Sequence, residues 1–202
     1  MAVIISADEL KKTIPQYSPG LSETVHLEST KRADKEFYSA LKLNVCKDVI
    51  LMNGGAAAGK TEFLLTHLNN LDTIILDTTL STIVGAKITI RKILKANKRP
   101  VIYAIIPVDL EPAYNAFLHR ERKFSSSNFF RTHSASRHTL LWIANNYENI
   151  ALNIYESTNI ATKMKFERVD FVTHNELLEY LKSIQRSETD IIMYIASKGY
   201  ST

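Results

Sequence analysis

The sequence has a single cysteine, Cys46, among 202 residues. One thiol cannot close an internal disulfide or furnish a cysteine-rich zinc site, so a secreted disulfide scaffold and a zinc finger are excluded and a reducing compartment is expected. Long apolar runs are also missing. The longest are strand-sized, short of the roughly 18 residues a membrane helix needs, and the opening Met1-Ala-Val-Ile-Ile-Ser6 carries no basic leader. The expectation is a soluble, cytoplasmic protein with no membrane partner. Charge of one sign is not in large excess: 25 Lys and Arg against 21 Asp and Glu give +4. That is too little to argue for wrapping nucleic acid, and it suits a pocket that receives a polyphosphate. No repeat, low-complexity tract or interdomain linker is present, and 45% hydrophobic composition in this length fits one core. Glycine is scarce at six residues, yet three of them fall between positions 54 and 59.

That stretch, Gly54-Gly55-Ala56-Ala57-Ala58-Gly59-Lys60-Thr61, satisfies G-x-x-x-x-G-K-[ST] at every fixed position. It follows the apolar run Asp48–Asn53 and precedes a segment, Lys60 to Asn69, that reads as a helix. Strand, loop and helix in this order is the context the mechanism requires. Small residues let backbone amides curl around phosphate, and the helix start adds a positive dipole end. Lys60 reaches the β and γ oxygens, and Thr61 ligates Mg²⁺. ATP and Mg²⁺ are therefore the expected ligands.

The remaining pattern alternates. Thr73–Asp77, Pro100–Pro107 and Ile150–Tyr155 read as buried strands, separated by helical periodicity over Ile83–Asn97, beyond Glu111, and over Ser134–Tyr147. Thr173-His-Asn-Glu176 caps a last helix, and Ser6-Ala-Asp-Glu9 caps a short first one. Helical spacing also runs from His26 to Leu43. The predicted architecture is α/β: a three-layer P-loop NTPase/kinase fold, its mostly parallel sheet flanked by helices, with ligands at the carboxyl ends of the strands. Residues 1–44 are expected as an N-terminal helical extension packed on the core. Residues 45–202 form the kinase core, with a lid at about 123–136.

Asp77 closes an apolar strand, where a P-loop protein places a carboxylate near magnesium or the attacking hydroxyl; capping of the Thr78-Thr79-Leu80-Ser81 turn is the alternative. Thr78 and Thr79 are candidate contacts to phosphate or acceptor. Arg120, Arg122, Lys123, Arg131 and Arg137 surround the proposed lid, and Arg122 and Arg131 are the first choices to serve the transferring phosphoryl. His133 is a candidate acceptor contact. It and His138 have no companion ligands at metal spacing. Lys87, Arg91 and Lys95 form a stripe at helical spacing that reads as a solvated face, so nucleic acid is not an expected partner.

His26-Leu-Glu-Ser-Thr30, the phosphate loop, Asp77-Thr-Thr-Leu-Ser81 and Arg131-Thr-His133 occur in an order that resembles zeta-toxin-like proteins, over about Val25 to Thr158. Zeta toxins are P-loop kinases that phosphorylate a UDP-activated amino sugar, typically UDP-N-acetylglucosamine, with Mg·ATP. The resemblance implies that activity here, a toxin–antitoxin setting with an antitoxin partner, and catalytic roles for Lys60, Asp77, Arg122 and Arg131. Two features depart from the family. Only about a dozen residues separate Thr61 from Thr73, so the strand that carries the family's base aspartate is absent after the phosphate-loop helix. Tyr155-Glu-Ser-Thr158 also differs from the expected Asp-Asn-Ser ending. Either Asp77 takes the base role, or the acceptor differs, or the protein hydrolyses ATP without being a sugar kinase. A P-loop NTPase switch or assembly factor and a nucleoside or polynucleotide kinase therefore remain as alternatives.

Overall fold

The computed structural model describes residues 2–121, 124–160 and 163–201. Its centre is β2 (Asp48–Asn53), a fully apolar run at Val49 to Met52 whose side chains are buried on both faces, as a central parallel strand requires. Around it lie β1 (Val3–Ser6), β3 (Ile74–Asp77), β4 (Arg99–Pro107), β5 (Ala151–Ile160) and β6 (Lys163–Val169). The order is β1-β3-β2-β4-β5-β6, with the first five strands parallel and β6 antiparallel to β5.

Eight α-helices flank the sheet among the described residues: α1 (Ala7–Lys11), α2 (His26–Leu43), α3 (Lys60–Phe63), α4 (Ile83–Lys95), α5 (Leu110–Leu118), α6 (Ser126–Asn146), α7 (His174–Ser183) and α8 (Glu188–Ser197). Alternation within the strands sorts the core. Val49, Leu51, Ile74, Leu76, Ile102 and Ala104 pack with Phe37 of α2, Ile90 of α4 and Leu140 of α6 on one face. Ile50, Met52, Ile75 and Ile105 face Phe63, Leu64 and Leu68 on the other, where α3 passes into a π-helical turn over Leu64–Leu68. A third cluster, Tyr114, Phe117, Phe129, Phe130, Ile191 and Ile195, joins α5, α6 and α8. Burying each of the Val, Leu, Ile, Met and Phe side chains among these contributes about 1.5–3 kcal/mol. The mostly parallel α/β sheet agrees with the sequence reading.

Three expectations are corrected. The N-terminal extension is not only helical. Val3-Ile-Ile-Ser6 forms β1 and adds a parallel strand at the edge of the sheet, with Ser6 level with Asp77. The edge position beside β3 is thus filled from the N-terminus, and no strand after the phosphate-loop helix is needed there. Ser6 also does not cap α1 with its side chain. The hydroxyl goes instead to Asp77 Oδ2 at 3.2 Å, because a strand end points it across the sheet. Behind this strand, Lys11 is fully buried, paired with Asp8 at 2.9 Å and set 4.5 Å from the Phe124 ring centroid. Finally, most of the segment read as a lid is helix. α6 starts at Ser126, and Phe129, Phe130, Thr132, His133 and Ser136 are buried in it. The serines and threonine that suggested a polar loop include Thr132 and Ser136, which satisfy their hydroxyls on helix carbonyls one turn back. Arg122 and Lys123 lie outside the described residues. The β6 strand and helix α8 carry no expectation from sequence.

Candidate functional site

The phosphate loop leaves β2 at Asn53, whose buried amide donates to Thr79 O at 3.4 Å and Ser136 O at 3.2 Å. Gly54 N also donates to Thr79 O at 3.4 Å. The loop is therefore tied at its root to the turn after β3 and to α6. At its far end Gly59 opens α3 with φ 94°, a backbone conformation that strains any side chain, and a Cβ there would also displace Met164 Cε of β6 at 2.5 Å. Gly55 is equally constrained, since a Cβ there would lie 2.3 Å from the His133 ring. Ser157 Oγ, on β5 level with the last residue of β4, donates to Ala58 O at 2.9 Å.

Lys60 Nζ turns into the loop, 2.9 Å from both Gly54 O and Gly55 O. Thr61 is exposed in the first turn of α3, where the leading helix amides have no intrahelical partner. Asp77, half-buried, stands on the neighbouring strand and accepts from Ser6. Thr78 Oγ1 accepts from Leu80 N at 3.2 Å, and Thr79 Oγ1 donates to Ser81 Oγ at 3.0 Å. Both hydroxyls thus hold their own turn, in which Leu80 takes the left-handed φ of 45°.

The structure brings α6 onto the loop more closely than the sequence shows. Ala56 N donates to Thr132 Oγ1 at 3.0 Å, and Ala56 O is 2.7 Å from His133 Nε2. Buried Arg137 places Nη1 3.2 Å from His133 Nδ1 and 3.0 Å from His133 O. Burial, then the Arg137 guanidinium, holds the His133 pKa well below the usual value; the bond to Ala56 opposes this, and Lys60 and Arg120 add to it. Burial also lowers Arg137 to about 10, with Arg186 contributing and Tyr180 opposing. Arg137 Nε is the one buried side-chain polar atom without a partner among the described residues.

Of the sequence candidates, Lys60, Thr61 and Asp77 converge at the carboxyl ends of β2 and β3. Arg131 is exposed on α6 and bonds Asn128 Oδ1 at 2.9 Å. Arg120 is half-buried just beyond α5, and His138 is exposed. His133 is enclosed against Gly55, with its ring bonded to Ala56 rather than presented to an acceptor. Ser6, Asn53, Thr132 and Ser157 support the site without standing out in the sequence, because each acts on a residue at least 26 positions away.

Beside Ala57 a cavity of about 480 Å³ opens between the ends of β4, α5, β5 and β6. Pro107, Val108, Pro112 and Ala113 give it an apolar wall, and Ser157, Thr158 and Asn159 a polar one.

A mostly parallel sheet with this loop at the end of its central strand defines a P-loop kinase-like α/β fold. No protein-family model matches the chain, and no curated protein matches it. Among solved structures it resembles a chain of the AvrRxo1-ORF1:AvrRxo1-ORF2 crystal structure with sulphate ions, at TM-score 0.52 and 14% identity over 78% of this chain and 72% of that one. The native complex of the same pair aligns at TM-score 0.52 and 13% identity, over 79% and 73%. At this identity the likeness is one of fold. No helix among the described residues is long and apolar enough to cross a membrane.

Proposed function

We propose that the chain is an ATP-dependent phosphotransferase of zeta-toxin type that moves the γ-phosphate to a hydroxyl of a small acceptor, with UDP-N-acetylglucosamine the first candidate. The observation that carries this reading is the Lys60 ammonium set inside the loop, on the Gly54 and Gly55 carbonyls, with the 480 Å³ cavity adjoining at Ala57. Phosphates in the loop exchange those carbonyls for their own oxygens at Lys60. The cavity is large enough for the nucleoside, within the roughly 300–1,000 Å³ usual for small-molecule pockets.

No cluster of three His, Cys, Asp or Glu side chains able to hold a metal occurs among the described residues. Magnesium does not need one, since it takes one or two protein oxygens and completes its shell with water and substrate phosphates. The Thr61 hydroxyl and Asp77 carboxylate fit that donor set. Held by these two groups, magnesium would supply charge neutralisation to the triphosphate. Lys60 holds those oxygens, and Asp77 receives the acceptor proton directly or through water. Arg120, Arg122 and Arg131 supply guanidinium charge for the transferring group. The bond from acceptor oxygen to phosphorus forms as the β–γ bridge breaks, and the electron pair leaves with ADP. The solved neighbours are complexes with a second protein, which supports a protein partner of antitoxin type.

Incubation with Mg·[γ-³²P]ATP and a panel of nucleotide sugars, nucleosides and 5′-hydroxyl oligonucleotides tests the reading. Label in a nucleotide sugar is the expected outcome. Label in inorganic phosphate alone identifies a nucleotide hydrolase and overturns it.

A further inference from the structure

Two consecutive peptides of the phosphate loop, those before and after Ala56, are oriented by side chains from outside the loop. Ala56 N–H donates to Thr132 Oγ1 at 3.0 Å, and Ala56 C=O receives His133 Nε2 at 2.7 Å. The two gripping residues are consecutive on α6 and both are buried. His133 can donate to a carbonyl only if its proton is on Nε2. Arg137 decides this, because a guanidinium has donors alone and its Nη1, 3.2 Å from Nδ1, requires a lone pair there. The same Nη1 donates to His133 O at 3.0 Å, and Gln185 Nε2, just beyond α7, donates to the backbone Arg137 O at 3.3 Å. The His133 ring is confined between Gly55 and Phe129, whose ring centroid is 4.3 Å away.

A trans peptide is planar, and its C=O and the following N–H point to opposite sides. No cis peptide occurs among the described residues. With Ala56 N–H turned out to Thr132, Gly55 C=O is turned inward, and there it meets Lys60 Nζ at 2.9 Å. By the same rule, Ala56 C=O turned out to His133 turns Ala57 N–H inward, to the side occupied by Lys60. Ala57 has φ 61°, a left-handed conformation that alanine rarely adopts unless its surroundings impose it.

We propose that His133 is a positioning residue of the phosphate site: its Nε2–H, on the tautomer that Arg137 selects, turns the Ala56–Ala57 peptide so that the Ala57 amide faces the phosphate oxygens of a nucleoside triphosphate. This deepens the phosphate-loop reading and rests on it. It gives His133 no proton-transfer role. Thr132 is the second anchor, fixing the preceding peptide so that Gly55 C=O and Ala57 N–H address the same space.

Two variants separate positioning from bulk. In His133→Phe a ring remains and the donor is lost, whereas in His133→Gln an amide N–H is available to Ala56 O. Calorimetry with magnesium tripolyphosphate, which lacks a nucleoside, should show affinity about tenfold or more weaker in His133→Phe, the range for an amide–anion bond no longer aligned, and largely restored in His133→Gln. In the nucleotide-free protein, ¹⁵N spectra should show the imidazole proton on Nε2, and the Ala57 amide resonance should move in His133→Phe and return toward its place in His133→Gln. Arg137→Met should release the tautomer, with Nδ1 protonation detectable. A proton on Nδ1 in the parent protein, or tripolyphosphate affinity unchanged in folded His133→Phe, overturns the proposal. If His133→Phe does not fold, the parent tautomer and the Arg137→Met spectrum decide. If the parent fails to bind tripolyphosphate, the phosphate-loop reading falls, while the nitrogen and Ala57 signals still report whether His133 sets the peptide.

Discussion

Ser6 and Asp77 stand side by side at the carboxyl ends of β1 and β3, and the Ser6 hydroxyl donates to Asp77 Oδ2 at 3.2 Å. Residues 71 positions apart are thus joined beside the phosphate loop. The bond restrains the rotamer of the carboxylate. Asp77→Asn keeps the shape and removes the charge, so it should lose most of kcat and retain Mg·ATP affinity. Ser6→Ala should show a smaller loss, consistent with one hydrogen bond of about 0.5–1.5 kcal/mol. Steady-state kinetics on both variants checks this, and near-normal turnover in Asp77→Asn would return the residue to capping its turn.

Lys60 carries the fixed positive charge inside the loop. Lys60→Ala should abolish turnover and weaken Mg·ATP binding while circular dichroism stays native, because the ammonium bonds Gly54 O and Gly55 O at the loop rather than holding core elements together. Calorimetric affinity equal to the parent's would refute the loop assignment.

Gly55 packs against His133 with no space for a methyl group. Gly55→Ala should therefore destabilise by about 1–3 kcal/mol, the usual range for overpacking, and should also displace the Ala56 peptide. Urea midpoints measure the first effect and ATP calorimetry the second. A fully stable variant with parental affinity would mean that the loop and α6 separate easily.

The charge on the arginines divides by burial. Arg137 is buried behind His133, so Arg137→Ala should lower stability, with any rate loss following from the altered loop. Arg131 is exposed and Arg120 is half-buried; these two and Arg122 are the remaining sequence candidates for the transferring phosphate. At least one alanine variant among these three should lose on the order of 10³-fold in kcat with little change in ATP affinity. Kinetics at saturating substrates decide this, and losses of no more than about threefold throughout would leave phosphoryl stabilisation to Lys60 and the metal.

Acid should weaken the fold through His133. Its pKa is depressed in the folded protein and rises toward about 6.5 when the chain unfolds. Between those values the unfolded chain binds the extra proton. The stability held by the neutral ring is complete above about pH 6.5 and falls as pH drops toward the folded value, by up to about 1.4 kcal/mol per pH unit. His26, also lowered, chiefly by burial, adds to the same slope. Urea unfolding between pH 7.5 and 5 should show a shallower acid decline in His133→Gln than in the parent.

The amino-acid sequence by itself determined the central strand, the phosphate loop and the helix after it. Those depend on local facts: an apolar run, glycines at fixed spacing, and Lys60 and Thr61 next to them. It also determined the alternation that makes the sheet parallel, since period and turn chemistry act within a few residues. Tertiary structure alone decided that Val3-Ile-Ile-Ser6 becomes the edge strand. Four residues between a terminus and a helix give too short a pattern to read, and pairing with β3 selects the strand. It likewise decided that the serine- and threonine-containing stretch before Arg137 is a buried helix. Thr132, His133 and Arg137 look like polar loop chemistry in one dimension, and their polarity is tolerated inside only because the phosphate loop brings Ala56 N–H and C=O to within 3.0 Å of the first two.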